Sequence, residues 1–384
     1  MKGRGVLVRL CTWPAAFFLL AGVMVPFSDA APARCFGRAA TIVGTNRSDR
    51  LVGTGGSDVI VGGDGRDYIR GRGGDDFICA GSGEGSVRGK IETIDGGGGD
   101  DTISAGPGPD RVIARGGDDR VFGGDGRSQI NGGDGDDVLV GGAHEDELRG
   151  MAGDDRLVGR GWFDLLLGWS GDDVLIGGAD GPLGDNADFN GAPKRVRVDL
   201  GKGVARGQGR DVLRGMDAVM GTDFDDVIVG DAGSNLLYGS SGDDVLKGRG
   251  GDDCFLPSVG DNDVYGGPGD DGYASDVFLL CTVDTYDAAA STLAGVEVDL
   301  EAGTATSVDQ VSRLHGIERA YGTMLNDTLN GDANANRLVG QGGNDTIGGG
   351  PGDDLLEGGP GIDSLNGDDG VDECNDGEAV VGCE

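Results

Sequence analysis

Carboxylates recur in one register along this chain, and their spacing is what could do chemistry. From Gly132 to Ile176 the chain reads GGDGDDVLV, GGAHEDELR, GMAGDDRLV, GRGWFDLLL and GWSGDDVLI. Each nonamer has a glycine-rich half with an acid at its sixth place, then three residues with a large aliphatic in the middle. Of 23 such units, 20 carry Asp at place six, the exceptions being Ser128, Asn235 and Asn336. Acids repeated at a fixed pitch in flexible turns offer oxygen donors and almost nothing else, since the chain has 2 histidines. That donor set suits a hard divalent cation, calcium above all. The candidate ligands are Asp58, Asp67, Asp76, Asp101, Asp119, Asp137, Asp155, Asp173, Asp226, Asp244, Asp253, Asp327, Asp345, Asp354, Asp363 and Asp372. An Asp in a Gly-rich turn can also simply cap its own backbone; so many in register favour the ion.

A turn followed by a three-residue strand buries nothing alone, so these units must stack on copies of themselves as a solenoid. Four nonamers run from Gly44 to Cys79, nine from Gly96 to Ile176, four from Gly221 to Leu256 and six from Gly322 to Asn375. They match G-G-x-G-x-D-x-U-x, and the chain therefore resembles the hemolysin-type (RTX) calcium-binding repeat proteins. The resemblance implies an all-β fold, a parallel β-roll with two nonamers per turn. It also implies several calcium ions between stacked loops, held by the place-six carboxylate and loop carbonyl oxygens.

The composition fits a fold conditional on metal. There are 82 glycines among 384 residues and a net charge of -36. Ordering so much glycine is entropically costly, and stacked carboxylates repel. Residues 1–30 read as a secretory signal peptide. Lys2, Arg4 and Arg9 precede an apolar run from Trp13 to Phe27, and small residues lead to a cut near Ala30. The run is short for a membrane span, and no later segment is apolar enough to provide one. A secreted, extracellular protein is expected. Six cysteines remain, an even number that favours disulfides in an exported chain. Sequence neighbours suggest Cys35–Cys79, Cys254–Cys281 and Cys374–Cys383, although six cysteines allow 15 pairings. No C-x-x-C spacing supports zinc.

Residues 31–43 read as a cap strand over the first turn, and 44–176 as the main array with an irregular turn at 80–95. Residues 177–220 form a strand-rich interruption, 221–256 a second array and 257–321 a second interruption. The C-terminal array and a disulfide cap fill 322–384. The interruptions are duplicates: Val196–Leu200 corresponds to Val296–Leu300, and Asp226, after a one-residue shift, to Asp327. Their alternation predicts longer strands extending the same parallel stack, and Ala-rich Asp287–Leu293 a short helical turn. In a stack, nonamer n lies over n+2, so alternate loops line opposite edges. One edge of the central array keeps Asp101, Asp119, Asp137, Asp155 and Asp173 with Gly at place four. The other has Ser128 in place of the acid and His144 and Trp162 in place of that glycine. Dense calcium on the first edge and sparse calcium on the second is the expectation.

Catalysis has little support. His144-Glu145 begins like a zinc-protease helix, but Leu148 stands where the second His belongs, and neither a G-x-S-x-G elbow nor a P-loop occurs. So acidic a chain is a poor partner for nucleic acid. Trp162, Phe163 and Trp169 cover a degenerate site or form a docking patch. The reading is a secreted, non-enzymatic calcium-binding repeat protein. The alternative is a calcium-stiffened surface or matrix adhesion module that binds a glycan or protein partner.

Overall fold

The computed structural model describes residues 33–81, 92–179, 184–274, 295–307 and 310–383. The period of nine sets the architecture. Places seven to nine of each unit form a short strand whose middle residue points inward, and the strand pairs in parallel with the one 18 residues on, Val138↔Arg156, Leu139↔Leu157 and Val140↔Val158 being one register. Successive nonamers contribute to two facing sheets, so the fold is an all-β parallel solenoid. The core is the row of place-eight side chains. Leu139, Leu148, Leu157, Leu166 and Leu175 are among its fully buried members, each stabilising the fold by about 1.5–3 kcal/mol.

One sheet runs unbroken through 16 strands, from Arg50–Val52 to Glu373–Asn375. The other is broken twice by the duplicated segments, and here the parallel expectation needs correcting. Arg197–Asp199 pairs antiparallel with Val204–Arg206, which pairs antiparallel with Arg210–Arg214. The outer strands of this meander then rejoin the parallel sheet, against Val174–Ala179 on one side and Val227–Val229 on the other. Glu297–Asp299, Thr304–Ser307 and Gln310–His315 repeat the arrangement. Period-two alternation is common to both strand directions, so it could not distinguish them.

The second interruption also begins later than Pro257. Residues 257–265 and 266–274 are two further units, whose strands Asp263–Tyr265 and Gly272–Ala274 continue the two sheets. Pro257 in place of the first glycine and Tyr273 in place of an aliphatic hid them. Around the irregular turn, Glu92–Gly98 returns to register, with Ile94 in the core and Glu92 at place six.

The ends are closed by short local structure. Arg34–Cys35 and Arg38–Ala39 form an antiparallel pair, Ile42–Val43 joins the stack, and Cys35 is bonded to Cys79. Cys374 is bonded to Cys383. Residues 1–30, read above as a signal peptide, Cys281 and Asp287–Leu293 lie outside the described residues. Among the described residues no helix is long and apolar enough to cross a membrane.

Candidate metal centres

The place-six acids form two buried columns, one along each edge of the solenoid. Within a column each Oδ1 accepts the amide N–H of the place-six residue one turn earlier: Asp101 to Asp119 at 2.7 Å, Asp119 to Asp137 at 2.8 Å, Asp137 to Asp155 at 2.8 Å and Asp155 to Asp173 at 2.9 Å. This bond fixes the carboxylate and turns Oδ2 back into the loop. In Asp76, Asp101, Asp119, Asp137, Asp155, Asp173, Asp244, Asp253, Asp345, Asp354, Asp363 and Asp372 that oxygen is buried and accepts no hydrogen bond among the described residues. Asp67 is buried in a loop of the same shape. An unpaired buried carboxylate oxygen costs several kcal/mol unless a partner arrives.

Two backbone features shape the space around Oδ2. The first is the glycine at place one. A Cβ on Gly132 would collide with Asp137 Oδ2 and with the Gly150 carbonyl of the next turn, and Gly141, Gly150 and Gly168 are crowded by their own Asp in the same way. The second is the left-handed conformation at place two, which removes that residue's N–H from the carboxylate. Along one edge it is held even by Arg72, Arg115, Met151 and Trp169, at φ 90°, 90°, 89° and 70°. Non-glycine residues held there cost about 1–3 kcal/mol each, a strain that collects at functional sites.

Burial and neighbouring acids raise the carboxyl pKa values. Desolvation first, then Asp101 and Asp137, push Asp119 up to about 8. Asp155 and Asp244 are likewise raised to about 8, Asp101 and Asp253 to about 7, and Asp76, Asp137 and Asp173 to about 6. A bound cation would reverse this by giving the charged form a partner.

Three of the sequence-derived candidates sit in differently shaped loops. Asp58, Asp226 and Asp327 each place Oδ2 on the N–H of a place-two threonine, from Thr54, Thr222 and Thr323 at 2.6, 2.6 and 2.5 Å. A β-branched residue resists the left-handed region, so these loops stay closed on themselves. Other acids meet the open-loop description without having been expected. Asp110, Asp164 and Asp271 have a buried, unaccepting Oδ2, and Glu92 an equivalent Oε2. Burial and like charges raise Glu92 to about 8. A longer acid at place six was the signal available in the sequence.

On the second edge of the central array, Asp146 is capped by the Gly142 N–H at 2.5 Å and Ser128 offers only a hydroxyl. Trp162 and Trp169, in consecutive nonamers, belong to opposite edges, and both are exposed, at 55% and 37%. The place-five acids Asp100, Asp118, Asp136 and Asp154 form a separate solvent-facing ladder, each accepting an amide from the following turn.

These loops fit a hard cation. The donors are all oxygen, the Oδ2 atoms named above accept no hydrogen bond among the described residues, and the place-one residue beside them is small, glycine in most loops and Ala105 and Ala114 in those of Asp110 and Asp119. Among the described residues no three acidic, histidine or cysteine side chains converge. An ion here would take much of its coordination from main-chain carbonyls.

A family model for the RTX calcium-binding nonapeptide repeat matches residues 43–86, 95–130, 131–161, 149–181, 220–253, 321–356 and 348–375. A search of the curated proteins finds no match.

Proposed function

From the premise that the chain belongs to the RTX calcium-binding nonapeptide repeat family, we propose that it is an exported, non-catalytic protein whose solenoid folds as calcium enters the open loops. The observation that carries the reading is the column of buried carboxylate oxygens left without a donor. Calcium would be held by Asp67, Asp76, Asp101, Asp119, Asp137, Asp155, Asp173, Asp244, Asp253, Asp345, Asp354, Asp363 and Asp372, with Asp110, Asp164 and Asp271 added from the geometry. Asp58, Asp226 and Asp327 drop out because their second oxygen is already capped. The central array would bind continuously along the Asp101–Asp173 edge and discontinuously along the other, where Asp146 is closed.

Because each ion joins one turn to the next, site and fold form together and binding should be cooperative. Extracellular modules with such ligands commonly bind near ~10⁻⁴–10⁻³ M. The test is calorimetric titration of the leader-free chain with calcium beside circular dichroism in chelator. A steep gain of β signal over a narrow calcium range is expected. A chain equally β-structured and heat-resistant with all metal stripped would overturn the proposal.

The second reading, an adhesion module, rests on exposed Trp162 and Trp169. Replacing both with Ala would abolish glycan or cell binding on that reading and leave calcium binding intact.

A further inference from the structure

We infer that each array is seeded by one turn that needs no metal: residues 44–61, 221–238 and 322–339. The inference rests on the calcium reading of the remaining turns, and it explains why these loops depart from them.

All six loops of these turns close by the same pair of hydrogen bonds. The place-two N–H donates to the place-six side chain: Thr45 to Asp49, Thr54 to Asp58, Thr222 to Asp226, Asp231 to Asn235, Thr323 to Asp327 and Asp332 to Asn336, at 2.5–2.7 Å. The place-two side chain in turn accepts the place-four N–H, at 2.8–3.2 Å. The oxygen that stands unpaired in an open loop is thus satisfied by the loop itself. Asn235 and Asn336 go further and remove the charge, so the like-charge repulsion between turns is interrupted there as well.

Position makes this more than local variation. The six loops are the first two of an array in every case, which is one whole turn, and each turn follows antiparallel structure with one short parallel strand between them: Ile42–Val43, Ala218–Met220 and Arg319–Tyr321. Residues 44–61 follow the hairpin of Arg34–Cys35 and Arg38–Ala39. Residues 221–238 and 322–339 follow the two meanders. Each meander is bonded to its seed: the Val196 N–H donates to Asp226 Oδ1 and the Val296 N–H to Asp327 Oδ1, both at 2.7 Å. Both oxygens of Asp226 and Asp327 are therefore occupied by protein donors.

Antiparallel neighbours make contacts of short sequence separation, whereas parallel stacking closes longer loops before any contact forms. A meander and a self-capped turn together offer a surface of fixed register on which the next, metal-dependent turn can add. The isolated capped loop at Gly142 has no side chain for the second bond and no capped partner in its turn. Asp368, at φ 66°, shows that an acid at place two is not sufficient.

Hydrogen–deuterium exchange of the leader-free full chain, followed by mass spectrometry in chelator, tests the inference. Amides in 44–61, 221–238 and 322–339 should exchange at least tenfold more slowly than those in 132–176. Equal exchange in the two groups overturns it. Calcium added to the same sample reads out the proposed function separately, as new protection across 132–176. Thr222→Gly and Thr323→Gly should each lower seed protection in chelator tenfold and add one bound calcium by titration. Unchanged protection and stoichiometry in both variants would overturn the seeding role.

Discussion

Asp119→Asn separates a metal ligand from a structural carboxylate, because the two roles predict opposite signs in one pair of conditions. Asparagine keeps Oδ1, and with it the 2.7 Å bond from the Asp101 N–H, but replaces the unpaired Oδ2 with an amide. In chelator at pH 8 the wild-type carboxyl, raised from 3.8 to about 8 by burial and by Asp101 and Asp137, works against folding. At ~1.4 kcal/mol per pKa unit the full shift corresponds to at most about 6 kcal/mol. Loosening of the metal-free turns lets water relieve part of it, leaving a gain of ~2 kcal/mol for the variant. In calcium the sign reverses, since a site occupied at a hundredfold excess over its Kd contributes about 2.7 kcal/mol, and the variant loses it. Urea denaturation followed by circular dichroism should place the variant's midpoint above wild type in chelator and below it in calcium. Destabilisation of similar size in both conditions would refute the reasoning and mark Asp119 as a purely structural cap.

The raised carboxyl pKa values also give a pH dependence. The metal-free fold holds protons more tightly than the unfolded chain, so this stabilisation is complete below the unfolded value near 3.8 and is lost as pH rises through about 6 to 8. In chelator, β signal should therefore increase from pH 8.5 to pH 5, and a flat profile would contradict the assigned burial. Gly132→Val, whose Cβ meets Asp137 Oδ2 and the Gly150 carbonyl and whose branched side chain exceeds the Ala105 and Ala114 found at this place in other loops, should cost about 2 kcal/mol and weaken calcium binding. Gly116→Ala, with its nearest neighbour at 3.8 Å, should change denaturation midpoints by less than ~0.5 kcal/mol. Cys35→Ser should lower stability by about 2–4 kcal/mol in calcium and chelator alike, since the Cys35–Cys79 bond acts mainly on the unfolded chain.

Much of the solenoid was legible because two side-chain requirements repeat with one period. Place eight must fill a core, and residues such as Leu139 and Ile228 are fully buried as their spacing demands. Place six is in most units a short acid whose Oδ1 reaches the neighbouring turn. What escaped was what periodicity does not encode. Strand direction in the meanders was one such property. Units 257–265 and 266–274 were lost because Pro257 and Tyr273 depart from the consensus at places where the backbone tolerates them. Glu92 and Glu318 hold place six with a longer side chain. The acid itself was the signal in each case, and its place in the column is fixed by a hydrogen bond, from the Glu92 N–H to Asp110 and from the Asp271 N–H to Glu318.

Part of the difference between open and capped loops was present in the sequence, at place two rather than at the acid: threonine there is capped in every case, whereas Gly142 is capped and Asp368 is not. Glycine there admits the left-handed backbone that keeps the N–H away from Oδ2. Threonine resists it and supplies a hydroxyl, so the same G-x-x-x-x-D frame folds shut, as at Thr222 and Asp226. Glycine at place one has a different cause: the carboxylate occupies the volume its side chain would fill, as Asp137 does beside Gly132. Much of the abundant glycine is therefore tied to a buried row of acids, with the next smallest side chain serving at Ala105 and Ala114. The composition that resembles disorder is the steric condition for holding those acids in register, and the backbone conformation at place two decides whether the acid waits for a cation or is satisfied by its own loop.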